Sequence, residues 1–355
     1  MSMKQIINSS ANNKLLLVNK LDEKKKSTFK NRVVISIFVV IFYLLVLVFS
    51  VLADSTSANW INMELNIKSV FAFLLIFLLY IPFVFANYEA ISLIFDKHKK
   101  LYFLILISCY SIVYFVVNLF LVIANYFVPL LITDKIPVVF GLIFLVTTIV
   151  VLAITNIFLK VFNSVSIKNV ISLNAIVLVI MLGFLSIVYC AIFKGWFALL
   201  FLLFSVMVTD AFCYLFGLFF GKHKMSKIIS PNKTWEGAIL GSTFSIAILL
   251  ILCGFVSIDQ NRSAIVLSYV IGYQTNLVAI IWIVLVFLSI LMVVFSILGD
   301  LFFSYIKRLF NIKDFSNFLR SHGGFLDRLD AMLIVSIVFA IYSLFASNIN
   351  LLNSF

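Results

Sequence analysis

Long, nearly unbroken apolar stretches make up most of this chain, and its polar residues fall in short gaps between them. A helix needs about 20 apolar residues to cross the hydrocarbon of a bilayer. Stretches of that order lie at 33–53, 68–90, 101–124, 137–158, 170–193, 196–219, 236–257, 276–302 and 326–346. The pattern predicts an all-α, polytopic integral membrane helix bundle of about nine transmembrane helices.

The polar gaps add a direction. Of the 26 lysines and arginines, 22 fall at one end of the spans, in 1–32, 97–100, 160–168, 222–233 and 307–328. Only Lys68, Lys135, Lys194 and Arg262 lie at the other. Cytoplasmic loops carry the excess of positive charge, so the N-terminus is expected inside and the C-terminus outside. Residues 1–32, with Lys24-Lys25-Lys26, read as a polar cytoplasmic tail without fixed structure. The first apolar run then reads as an uncleaved anchor. Residues 33–195 form N-terminal transmembrane helices, and 196–346 carry two distinctive cytoplasmic loops, 221–235 and 304–325. Residues 347–355 form a short external tail. Multi-pass insertion in the plasma membrane is the expected location.

Composition agrees. Hydrophobic residues make up 64% and mean hydropathy is +1.21, whereas soluble chains run about 45–50% apolar. A water-soluble globule is excluded. Cys109, Cys190, Cys213 and Cys253 sit inside apolar segments without paired spacing, so they read as buried hydrophobes.

Against so little charge (11% of residues), the window 304–330 stands out. It holds Lys307, Arg308, Lys313, Asp314, Arg320, Asp327, Arg328 and Asp330, together with His322 and the pair Gly323-Gly324. Asp300 closes the eighth apolar run, and the adjacent Gly299 is expected to leave room for a bulky ligand. Asp327 and Asp330 share one helical face at i, i+3. Asp300, Asp327 and Asp330 therefore flank one polar loop, and such oxygen ligands suit Mg²⁺, with room for a second cation. Arginine supplies a bidentate fork for phosphate and lysine a point charge. Gly323-Gly324 ahead of a helix start is read as a source of backbone N–H groups for an anion, and His322 as a phosphate ligand, an acid/base or a turn residue. Asp210 interrupts the sixth span about 15 Å from its end, and a carboxylate there should face a polar cavity or a partner. Ser230-Pro-Asn-Lys-Thr-Trp-Glu-Gly237 reads as a helix start, with Lys222, Lys224, Lys233 and Glu236 near the same surface. His98 and His223 read as surface residues.

Ser304, Lys307, Arg308, Lys313, Asp314, Ser316, Leu319, His322, Gly323, Gly324, Asp327, Arg328 and Asp330 together resemble the signature of the phosphatidate cytidylyltransferase (CDP-diglyceride synthetase) family. Asp210-Ala-Phe-Cys-Tyr, Phe219-Phe-Gly-Lys-His-Lys and Ser230-Pro-Asn-Lys-Thr-Trp-Glu-Gly resemble its upstream pattern. Three positions depart from it: Arg320 where Pro or Gly is usual, Ser321 where Gly is usual, and Phe303 where an acidic residue is frequent. The resemblance implies a nucleotidyltransferase that moves CMP from CTP to phosphatidic acid in phospholipid biosynthesis, Mg²⁺-dependent, at the cytoplasmic membrane face and as a homodimer. It implies Asp300, Asp327, Asp330, Lys307 and His322 as catalytic residues, the three carboxylates holding the metal. It implies Asp210, Lys222, Lys233, Glu236, Ser304, Arg308, Lys313, Asp314, Gly323, Gly324 and Arg328 as the substrate-binding set. No nucleic-acid partner is expected. A CTP-dependent polyprenol or phytol kinase is the nearest rival, and an ion-coupled transporter is the rival from another class.

Overall fold

A computed structural model describes residues 37–54, 64–93, 100–126, 136–161, 167–226, 228–257, 278–316, 318 and 323–352. Nine helices run through them: α1 (Ile37–Ala53), α2 (Leu65–Ser92), α3 (Lys100–Tyr126), α4 (Ile136–Val161), α5 (Ile167–Phe193), α6 (Gly195–Phe220), α7 (Trp235–Ser257), α8 (Val278–Leu309) and α9 (Leu326–Leu352). Eight are long and apolar enough to cross a membrane, and the described part of α1 is shorter. No strand occurs among the described residues beyond one isolated bridge, Lys224 to Thr234. The 1–32 tail, His98, Arg320, Ser321 and His322 lie outside the described residues.

Every apolar run became a helix because backbone groups in hydrocarbon must bond within their own segment. α5 is the central post, buried on most of its surface and packed by α2, α3, α4, α6 and α9. α9 in turn packs on α8, α5 and α6.

The tightest pairing is α6 with α7. Gly237 and Gly241 stand four residues apart on α7 and press on Cys213 and Gly217 of α6. A Cβ on Gly241 would lie 2.6 Å from the Cys213 backbone, and one on Gly237 would lie 2.7 Å from Gly217 Cα. Small residues at this spacing let backbones meet where no hydrophobic force drives helices together.

The structure changes two expectations around Asp300. α8 does not stop with the apolar run but continues to Leu309. Phe303 and Ile306 are buried on the continuing face, so the extension is amphipathic, and Lys307 and Arg308 suit its C-terminal dipole. Gly299 makes no room for a ligand either. A Cβ there would lie 3.0 Å from Ala331 Cα, so the glycine serves the close crossing of α8 and α9.

Candidate active site

The α6–α7 connection is a tight polar hairpin. Met225 N–H bonds Lys233 O at 2.9 Å, and Trp235 N–H bonds His223 O at 3.0 Å. Thr234 caps α7, its Oγ1 accepting the Gly237 N–H at 3.2 Å, as a capping side chain should. Glu236, in the first turn, accepts the backbone N–H of Lys222 at 3.1 Å and of His223 at 3.1 Å. The His223 ring adds an Nδ1 contact of 2.5 Å to the same carboxylate. Glu236 therefore clamps the hairpin to the helix. The construction leaves Lys233 reaching across to α8, where its Nζ meets Asp300 Oδ2 at 2.5 Å.

The start of α9 is built from carboxylates as well. Asp327 Oδ2 accepts N–H from Gly324 at 2.8 Å and from Phe315 at 3.0 Å. Its Oδ1 receives Lys307 Nζ at 2.8 Å, in a pair whose side chains are only 12% and 8% exposed. Lys307 also lies 5.5 Å from the Phe315 ring centroid. Gly323 adopts φ 77°, a backbone that an L side chain rarely tolerates. Of the pair Gly323-Gly324 expected to offer N–H groups to an anion, Gly324 gives its N–H to a protein carboxylate and Gly323 makes the turn.

Between the hairpin, α6, α8 and the start of α9 lies a cavity of about 830 Å³. Five carboxylates line it (Asp210, Asp300, Asp314, Asp327, Asp330), with four cationic side chains (Lys224, Lys233, Lys307, Arg328). Tyr214, Leu218 and Ile297 give it an apolar side. Asp210 belongs to the outward face of α6, among exposed Met207, Tyr214, Leu215 and Leu218. Of the α6 residues in the lining Asp210 lies farthest from the hairpin, so the cavity carries charge along the bundle as well as at the loops.

Eight of the expected site residues meet there: Asp210, Lys233, Asp300, Lys307, Asp314, Asp327, Arg328 and Asp330. Others support the walls from outside the lining. Ser304 Oγ bonds Asp300 Oδ1 at 3.3 Å. Arg308 ties the two loops together, donating to Ile229 O and Ile312 O at 3.3 Å each. Lys222 takes part through its backbone, and Lys313 is an exposed loop residue outside the lining. Phe303, at a place often acidic in the resembled pattern, is fully buried and packs edge-on to Phe315 at 6.1 Å. It belongs to the core under the loop.

Sequence reasoning named Lys233 and Glu236 from the second half of the hairpin but not Ser230, Pro231 and Asn232, which also line the cavity. It also missed Glu89 of α2. That side chain is 2% exposed and accepts N–H bonds from Phe325 and Leu326 at 2.8 Å each. The available signal was a carboxylate inside a predicted span, the criterion that singled out Asp210.

Among the described residues, no three His, Cys, Asp or Glu side chains converge as a self-sufficient metal cage. Mg²⁺ does not require one, since it is usually held by one or two carboxylates with waters and substrate phosphates. Asp300 and Asp330, on crossing helices of one cavity, fit that demand. Asp327 fits it less well, being nearly buried with three protein donors on its two oxygens, whereas Asp300 is more open and has Ser304 and Lys233 as its donors.

The bundle thus carries, at one end of its spans, a polar cavity lined by charges of both signs. The sequence model of the Cytidylyltransferase family matches residues 56–346, and the chain belongs to that family. A Mycoplasma pneumoniae protein, provisionally named a phosphatidate cytidylyltransferase, is 35% identical over 207 residues, 51% of each chain. The phosphatidate cytidylyltransferase of Staphylococcus haemolyticus is 37% identical over 130 residues, 37% of this chain and 42% of its own. That of Staphylococcus aureus is 38% identical over 130 residues, with the same two shares. The matched part spans about half or less of the length of these relatives.

Proposed function

We propose that this protein transfers the cytidylyl group of CTP to phosphatidic acid, releasing pyrophosphate, at the cytoplasmic face of the plasma membrane. The observation that carries the reading is the cavity, where five carboxylates and four cations converge at one end of the spans within the family-matched segment. The relatives' names supply the two substrates. The lysine and arginine bias supports the cytoplasmic side, where a soluble nucleotide and a membrane-resident lipid can meet.

An oxygen of the phosphatidate headgroup attacks the α-phosphorus of CTP. The new O–P bond forms as the bond from that phosphorus to the β-phosphate bridging oxygen breaks, and pyrophosphate leaves with the electron pair. Catalysis of such a step is positioning and charge neutralisation. Lys224, Lys233, Lys307 and Arg328 bind phosphate oxygens, and arriving phosphates compete with Asp300 for Lys233. Asp300 and Asp330 would hold Mg²⁺, which would supply further neutralisation of nucleotide charge when bound. Tyr214 and Leu218, exposed on the face of α6 that carries Asp210 and nearer the hairpin, border the lipid's approach. The phosphatidate oxygen is already ionised near neutral pH, so the attack needs no protein base.

The test is purified protein in detergent with CTP, phosphatidate and Mg²⁺, following CDP-lipid and pyrophosphate together. Equimolar formation of both is expected. No CDP-lipid with any divalent metal would sink the reading, and a phosphorylated lipid with CDP as co-product would indicate a kinase.

A further inference from the structure

Glu89 is not among the residues lining the cavity and lies in α2, far along the chain from the segments that carry the signature. It is nonetheless bound to the site by its strongest local contacts. Oε1 accepts the Phe325 N–H at 2.8 Å and the Ser316 O–H at 2.5 Å, and Oε2 accepts the Leu326 N–H at 2.8 Å. Phe85, one helical turn earlier on the same face, stacks on Phe325 at 5.1 Å and meets Phe318 at 4.8 Å. α2 therefore grips the loop before α9 at its middle and at its α9 end.

The grip is specific in shape. The first N–H groups of a helix have no partner within it, and Glu89 takes two of those at the start of α9. A Cβ on Gly324 would overlap the Glu89 carboxyl group, so the second glycine admits this side chain. One residue past Leu326, Asp327 holds Lys307 at 2.8 Å. Arg328 and Asp330 follow in the same turn and line the cavity.

We propose that Glu89 is a positioning residue for the transfer reaction. It fixes the first turn of α9, and through that turn the places of Asp327, Lys307 and Asp330, without touching substrate. The inference rests on the cytidylyl-transfer reading for its kinetic readout only.

Glu89→Gln keeps the shape but turns an amide N–H₂ toward donors, so one contact becomes donor against donor. Three measurements on detergent-purified protein decide the matter: steady-state kinetics per monodisperse molecule, thermal midpoint, and amide hydrogen exchange of the 323–330 segment. A misplacement of about 1 Å can cost about a hundredfold in rate, so kcat should fall roughly ten- to hundredfold, with KM for phosphatidate unchanged. Exchange at Phe325 and Leu326 should quicken while the rest of α9 behaves as in the parent. Glu89→Asp, which keeps the charge on a shorter arm, should recover part of kcat. Parental kcat in Glu89→Gln, or unchanged exchange, overturns the proposal. So does a rate loss that tracks only the loss of folded protein. If Glu89→Gln does not fold, Ser316→Ala removes one donor from the same carboxylate. It should lower kcat by a smaller factor, and a parental value overturns the inference equally. A parent that makes no CDP-lipid refutes the activity reading instead, and the exchange measurement still decides the role of Glu89.

Discussion

Gly241 of α7 packs on Cys213, which lines the cavity, so this contact is expected to set the cavity's width, and Gly241→Ala perturbs it by a calculable amount. The added Cβ would stand 2.6 Å from Cys213 N and Cα, whereas ordinary contact begins at 3.4 Å. The obstacle is backbone, so it cannot rotate aside, and the helices must part by about 0.8 Å (3.4 less 2.6). Overpacking of this kind costs about 1–3 kcal/mol. The functional cost should be larger, because Cys213 lines the cavity and Lys233 is carried on the hairpin joining these two helices. Displacement of a positioned charge by about 1 Å can cost about a hundredfold, so a ten- to hundredfold loss of turnover is expected at this displacement. The assay is CDP-lipid formation per monodisperse molecule, read beside the thermal midpoint in detergent. Gly141→Ala and Gly254→Ala are the controls. Nothing lies within 4 Å of a Cβ at Gly141, and the nearest atom at Gly254 is a Trp282 ring carbon at 3.7 Å. Both should behave as the parent. Turnover within twofold of the parent and an unmoved midpoint in Gly241→Ala would refute the claim that this contact sets the cavity.

Four further outcomes are expected. Asp300→Asn and Asp330→Asn should each lower turnover by at least about a hundredfold, as loss of a group acting on charge in the transition state does, with normal membrane insertion by fractionation. Lys307→Met leaves Asp327 without its cation in a nearly buried site, a loss of about 3–5 kcal/mol, visible as a lower thermal midpoint together with lost turnover. His223→Ala removes an exposed partner of Glu236, and exposed pairs contribute about 0–1 kcal/mol, so midpoint and turnover should stay near parental. Chelation by EDTA should stop CDP-lipid formation and added Mg²⁺ restore it, and full activity in EDTA would remove the metal from the proposal.

Where the site was legible in sequence, the reason was chemical rarity. Charges are so few in this chain that Asp210, Asp300, Lys233 and the 307–330 cluster stood out, and Asp210, Asp300 and Lys233 line one cavity with Lys307, Asp314, Asp327, Arg328 and Asp330 of that cluster. Their individual duties were less legible. Glu236 and Arg308 carry the residue types of a phosphate site, yet one clamps a hairpin and the other joins two loops. Gly324 looked like an open backbone donor, but its N–H answers Asp327. A charged group's type announces its chemistry, while its partner is a matter of position.

The linear pattern of apolar residues determined the helices and most of their limits to within a few residues, although α8 runs past 302 to Leu309 and α9 past 346 to Leu352, into the expected external tail. Each stretch settles that question alone, because transfer to hydrocarbon is a sum over its own residues and its backbone bonds close within it. Packing decided what lay past the last apolar residue. α8 runs on to Leu309 because Phe303 and Ile306 find cover, and Gly299 is needed because Ala331 crosses beside it. Packing also decided that Glu89 would hold Leu326, 237 residues away along the chain. A directional bond of 2.8 Å requires two particular atoms to meet, and only the assembled bundle brings them together.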